Sequence, residues 1–200
     1  MSMQEASLVI VDMQKDFMPG GSLEVPKSST ILPIVNCLVE QFIAFQRPII
    51  YTADWHPEIT PHFDEWPVHC VAYTEGSFIH DYVKVPPMSY PLTYFVRKGI
   101  GESDGYSGFS EEVEVAHMPH HDPIKTDLSG ILQMHGTRRI WICGLALDYC
   151  VKATALDALE RGYGVVVITD GTVPVDPETG QRALEELVEA GADLYSFFHS

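Results

Sequence analysis

Cys150 ends the segment Gly144-Leu145-Ala146-Leu147-Asp148-Tyr149-Cys150, which joins an apolar strand-like stretch to a helix-length pattern and so puts a thiol near a helix N-terminus. Exposed backbone amides and the helix dipole there lower a thiol's pKa and stabilise a neighbouring oxyanion, as a nucleophile requires. The competing reading is a small core residue, since free cysteine is among the most buried types. A thiol nucleophile needs a base. Asp12, in Val11-Asp12-Met13-Gln14-Lys15-Asp16-Phe17, has the chemistry to accept the proton and return it to a leaving amine, although Asp12 or Asp16 also suits a loop cap. Lys98, in Arg97-Lys98-Gly99, suits a cation that holds the aspartate's charge and polarises a substrate; a solvated strand-end lysine is the commoner use of that residue.

A second cluster has metal-ligand chemistry. Asp54-Trp55-His56 is followed closely by His62, Glu65 and Trp66-Pro67-Val68-His69-Cys70. At a strand end Asp54 and His56 project to one side, because strand side chains alternate with period two, and His69 would complete a facial set. A carboxylate with two or three imidazoles suits zinc, and also iron or manganese. A histidine-rich surface loop is the alternative. His117, His120 and His121 form a further group without a carboxylate pattern and read as solvated loop.

These residues need a frame that brings distant segments together. Strand-like apolar runs fall at Leu8 to Val11, Ile49 to Thr52, Thr93 to Val96, Arg139 to Cys143, Val165 to Thr169 and Leu194 to Phe198. Helix-length patterns separate them at Ile31 to Phe45, Pro123 to Met134, Tyr149 to Arg161 and Pro177 to Ala190, the last opened by Asp176-Pro177. This alternation predicts a three-layer α/β/α fold with a mainly parallel central sheet, one domain over residues 1–200. Asp12, Asp54, Lys98 and the Cys150 segment then all lie at carboxyl ends of strands, where such sheets gather function. Pro57 to Tyr90, rich in proline, histidine and aromatics, reads as a long ordered loop, and loops of that length are usually functional.

Composition bounds the partners. A formal charge of -16, from 12 Lys+Arg against 28 Asp+Glu, repels phosphate backbones and anionic membranes and leaves a neutral small substrate unaffected. No stretch has the length of a membrane span, and the first residues carry no basic region before their apolar run. Four cysteines without a C-x-x-C pair suit a reducing compartment, so the expected location is the cytoplasm. A homo-oligomer is compatible with all of this.

In combination, Asp12-x-Gln14-x-Asp16-Phe17, Asp54-x-His56, Trp66-Pro67-x-His69-Cys70, Arg97-Lys98-Gly99 and Ala146-x-Asp148-Tyr149-Cys150-Val151 resemble, in order and over nearly the whole chain, the nicotinamidase/pyrazinamidase branch of the isochorismatase-like cysteine hydrolases. The resemblance implies a catalytic triad of Asp12, Lys98 and Cys150, and one divalent metal, zinc before iron or manganese, on Asp54, His56 and His69. The remaining metal position falls to His62 or Glu65, with His62 preferred as a ligand or as a partner of a metal-bound water. It also implies a cis Leu145-Ala146 peptide, an oxyanion hole from the Ala146 and Cys150 amides, and aromatic walls from Phe17 and Trp66, with Tyr106 as a further pocket residue. The stretch between Gly76 and Lys98 is longer than the family's commonest form, and Gly101 to Ser107 replaces its tighter loop, which bears on substrate breadth and subunit contacts.

The expected reaction is hydrolysis of nicotinamide to nicotinate and ammonia through a cysteine thioester, with a role in NAD salvage. The rivals are a related cysteine amidase acting on an N-carbamoyl or ureido substrate, and a catalytically silent metal-binding protein.

Overall fold

Six β-strands, all parallel, run in the order β3-β2-β1-β6-β7-β8 through the centre of the computed structural model, which describes residues 4–101, 105–112 and 124–198. They are β1 (Ala6–Val11), β2 (Ile49–Asp54), β3 (Thr93–Lys98), β6 (Arg139–Leu145), β7 (Gly164–Val173) and β8 (Asp193–Tyr195). A short antiparallel pair, β4 (Glu111–Glu112) and β5 (Ile124–Lys125), was not anticipated.

The central strands bury both faces, which is why they read as unbroken apolar runs rather than as alternating ones. Along β1, Leu8 and Ile10 pack into one core layer and Val9 and Val11 into the other. The first layer is closed by helix α1 (Leu32–Ala44) through Val35, Leu38, Val39 and Phe42. The second is closed by α2 (Leu128–Met134), α3 (Lys152–Glu160) and α4 (Pro177–Glu189), through residues such as Leu132, Ala155, Ala183 and Leu187. The result is the expected three-layer arrangement, wholly parallel in its main sheet. Among the described residues no helix is long and apolar enough to cross a membrane.

Boundaries depart from the sequence reading where tertiary contacts decide them. The segment entering α3 is a π-helical turn, Leu147–Val151, whose carbonyl register is set by Ala146 O accepting from both Tyr149 N and Val151 N. The last strand stops at Tyr195 rather than Phe198, because Asp170 Oδ2 takes the Phe197 and Phe198 amides (2.8 and 3.0 Å) out of the ladder. Residues 57–90 are ordered loop with two short 3-10 turns, Pro61–Asp64 and Glu75–Ser77. His117, His120, His121 and Pro123 lie outside the described residues, as do Glu102, Ser103 and Asp104; the helix expected from Pro123 to Met134 begins only at Leu128, because Ile124–Lys125 is paired as β5.

The chain leaves β1 toward β2 and β3 on one side, and continues through β6, β7 and β8 on the other. The strand order therefore reverses between β1 and β6, and a crevice opens there at the carboxyl ends.

Candidate active site

Cys150, Lys98 and Asp12 meet in that crevice. Lys98, the last residue of β3, has a completely buried side chain whose Nζ stands 2.9 Å from Asp12 Oδ2, donates to Asp54 Oδ1, and donates to Cys150 Sγ at 3.4 Å. Asp12 follows β1 with φ +47, a left-handed backbone that an L residue rarely adopts. Its Oδ1 accepts from Thr52 Oγ1 at 2.7 Å, so one oxygen is anchored; Oδ2 makes the ion pair without a hydrogen bond.

The surroundings separate the two carboxylates. Burial raises the pKa of Asp12, and Lys98 only partly offsets it. Burial acts on Asp54 too, but Lys98, His56 and His69 together outweigh it and hold Asp54 below the usual range. Asp12 is thus suited to carry a proton and Asp54 to remain an anion. For Lys98, burial pushes the ammonium down, yet the facing carboxylates prevail and keep it charged. Cys150 is raised, by burial first and then by the carboxylates, so its resting form is the thiol and it needs a base at hand.

The Leu145-Ala146 peptide is cis, as the family resemblance implies. Asp148 fixes the turn that carries the thiol, accepting from Val175 N, Asp176 N and Thr179 Oγ1, the start of α4.

The histidines gather beside this group. One ring nitrogen from each of His56, His62 and His69 lies within 4.8 Å of the other two. Asp54 Oδ2, the oxygen not bonded to Lys98, stands 3.8 Å from His56 Nε2 and 4.0 Å from His69 Nε2. The opposite ring nitrogens are committed: His56 Nδ1 lies 3.0 Å from Gly99 O and His69 Nδ1 2.7 Å from Pro67 O. A backbone carbonyl on Nδ1 fixes the tautomer in which Nε2 carries a lone pair, the usual outer support of a metal-binding histidine. Burial keeps both rings neutral, pushing His56 down to about 4 and His69 below its ordinary value. His56 Nε2 is buried with no hydrogen-bond partner. A divalent ion fits this donor set: neutral imidazoles, one anion, and an orphaned nitrogen facing the carboxylate. Asp12, Asp54 and Cys150 are equally close together, but there the Lys98 ammonium already supplies the cation. Glu65 is exposed and stands outside the histidine set.

Gly99 shows how tightly the set is supported. Its φ is +71, and a Cβ there would stand 2.5 Å from His56 Cε1. Gly99→Ala is expected to cost about 1–3 kcal/mol of stability and to weaken any divalent-ion binding at the histidine set, measured by thermal melting and chelator competition.

Above both groups lies a cavity lined by Asp12, Asp54, His62, His69 and Cys150 and walled by aromatic and aliphatic side chains. Phe17, Trp66 and Tyr106 all line it, and Trp66 Nε1 donates to Tyr106 Oη at 3.0 Å. Tyr149, absent from the sequence-based set, completes the wall edge-on to Trp66 with ring centroids 5.2 Å apart. Leu23, Val25 and Val175 also line the cavity and had no signal, since nothing local in the chain marks an aliphatic residue as facing a pocket rather than the core.

The isochorismatase domain family matches residues 6–197. The nicotinamidase of Escherichia coli (strain K12) is 32% identical over 97% of this chain and 96% of its own. The pyrazinamidase of Pyrococcus horikoshii, solved in complex with zinc, superimposes with TM-score 0.84 at 38% identity, over 96% of this chain and 99% of that one. The yeast nicotinamidase bound to the inhibitor nicotinaldehyde superimposes with TM-score 0.79 at 32% identity, over 96% and 99%.

Proposed function

The chain belongs to the isochorismatase family of hydrolases, and from that premise we propose that it is a nicotinamidase, which hydrolyses nicotinamide to nicotinate and ammonia with Cys150 as nucleophile. The observation that carries this reading is one cavity lined by the Cys150 thiol, the raised-pKa Asp12 carboxylate, Asp54, His62, His69 and aromatic side chains, with Lys98 paired to Asp12 and Cys150 and His56 completing the histidine cluster.

The amide sits over Cys150 with the pyridine ring between Phe17, Trp66 and Tyr106. Asp12 takes the thiol proton as Sγ attacks the amide carbon. The carbonyl oxygen becomes an oxyanion held by the Ala146 and Cys150 amides. As the C–N bond breaks, Asp12 gives its proton to the departing nitrogen, ammonia leaves, and a thioester remains. A water then adds to the thioester with Asp12 as base; Sγ leaves and is reprotonated, releasing the acid. Lys98 keeps the Asp12 and Asp54 charges compatible with burial throughout.

Asp54, His56, His62 and His69 would hold the metal, with zinc ahead of iron or manganese and with His62 favoured over Glu65 by its place in the set. When bound, a divalent ion supplies a Lewis acid for a ring nitrogen or for water. The expected setting is NAD salvage in the cytoplasm.

Ammonia release from nicotinamide by purified, metal-assayed protein tests the reading; no release from zinc-loaded protein would overturn it and turn the assay to ureido and N-carbamoyl amides. Rigorous chelation is expected to lower turnover at least about tenfold and to lower the melting temperature, since an ion that binds only the native state stabilises it by mass action. Zinc should restore both. Full turnover with verified metal removal would refute the metal's part.

A further inference from the structure

The segment leaving β1 places three polar side chains at alternate positions, Asp12, Gln14 and Asp16, and the last two have no part in the chemistry above. Gln14 is completely buried. Its Oε1 accepts from Asp54 N at 2.7 Å, while its Nε2 donates to Asp54 O at 2.7 Å and to Ser77 O at 2.8 Å. One acceptor and two donors meet the three backbone groups, a match that only a primary amide supplies at that length. Asp16 reaches elsewhere. Its Oδ2 accepts from Cys70 N at 2.7 Å and its Oδ1 from Ser22 N at 3.4 Å. Cys70 has φ +45, follows His69 directly, and gives its carbonyl to His56 N at 3.0 Å. The carboxylate is hemmed in, for a Cβ on Gly76 would lie 2.0 Å from Asp16 Oδ2.

We infer that Gln14 and Asp16 are positioning residues with separate outputs, Gln14 orienting Asp54 and Asp16 orienting His69 through the Cys70 amide. This rests on the reading of Asp54 and His69 as metal ligands. Asp54 also holds Lys98, which donates to the Cys150 sulfur, so Gln14 acts on the metal set and on the thiol together. Asp16 touches neither Lys98 nor Cys150 and acts on the metal set alone.

The test uses the full chain and zinc as probe. Zinc affinity is measured by chelator competition, and the alkylation rate of Cys150 in zinc-free protein by peptide-resolved mass spectrometry, with thermal melts alongside. Gln14→Met and Asp16→Ala are each expected to weaken zinc binding about tenfold. Asp16→Asn, which keeps an oxygen for the Cys70 amide, should recover most of the loss. Cys150 alkylation should change several-fold in Gln14→Met and stay at the parent rate in Asp16→Ala. Zinc affinities within twofold of the parent would overturn the inference, as would equal effects of the two variants on Cys150, the mark of general loosening. Because a variant that unfolds would lose zinc for trivial reasons, Asp16→Asn against Asp16→Ala at matched melting temperature decides the Asp16 half. A parent protein that binds no zinc would instead overturn the metal reading itself.

Discussion

Cys150→Ala is expected to abolish nicotinamide hydrolysis, with turnover falling on the order of 10⁴-fold or more, while zinc affinity and the melting temperature stay near the parent values. The loss is that large because no other thiol can substitute. Cys143 lies fully buried in β6 in the opposite core layer, Cys70 is buried behind Asp16, and Cys37 is on the exposed side of α1. The fold is spared because the change removes one small buried atom and one hydrogen bond from Lys98, whose charge remains balanced by Asp12 and Asp54. Ammonia release, zinc competition and a melt on the same preparation check all three. Turnover within tenfold of the parent would sink the covalent route.

Lys98→Met is expected to damage both activity and folding. Removing the ammonium leaves the buried carboxylates of Asp12 and Asp54 without the cation that pairs with both. Breaking a buried pair from one side costs about 3–5 kcal/mol, and turnover should fall about 10³-fold. The pH dependence fixes the mechanism of the damage. Without Lys98 the two carboxyls have raised native pKa values, so above the ordinary carboxylate range the folded state holds a proton that the unfolded chain has released. Stability of the variant relative to the parent therefore falls as pH rises through that window and recovers on acidification. A deficit independent of pH between 4 and 7, in urea titrations of zinc-free protein, would show that lost packing and not charge is responsible.

Much of the frame was legible because its signals are strong and local. Val9, Ile50, Ile142 and Val167 sit in short, β-branched runs apolar on both faces, the pattern of a parallel sheet covered on both sides. Asp12 and Asp54 were readable as site residues because each closes such a run, and Lys98 because it ends a strand-like stretch at the same edge, one residue past Arg97. The π-helical turn at Cys150 was not readable, since Leu147 to Val151 has ordinary helix-forming residues and its register is set by Ala146 O and by Asp148 bonding to α4. Gln14 and Asp16 were visible in the motif but mute about their use. Their partners lie 40 to 63 residues away in one case and 54 in the other, and no property of a glutamine or aspartate indicates so distant a backbone amide. Tyr149 carries no signal of a wall residue in the sequence, because two adjacent side chains, Tyr149 and Cys150, face one cavity from a π-helical turn, which an ordinary helix would rarely allow.

The position of β1 has a cost that falls on the folding chain rather than on the finished one. This strand is flanked by β2 and β6, and on the β6 side Ala6 pairs with Arg139 while Ser7 Oγ meets Thr137 Oγ1 at 2.7 Å. During synthesis at about 5–20 residues per second, β1 emerges many seconds before its second partner exists. It must wait with one edge bare and apolar on both faces, the state most prone to pair with another copy. A chaperone that covers β1 early should therefore raise the yield of folded protein, and truncations ending before β6 should collect in aggregates.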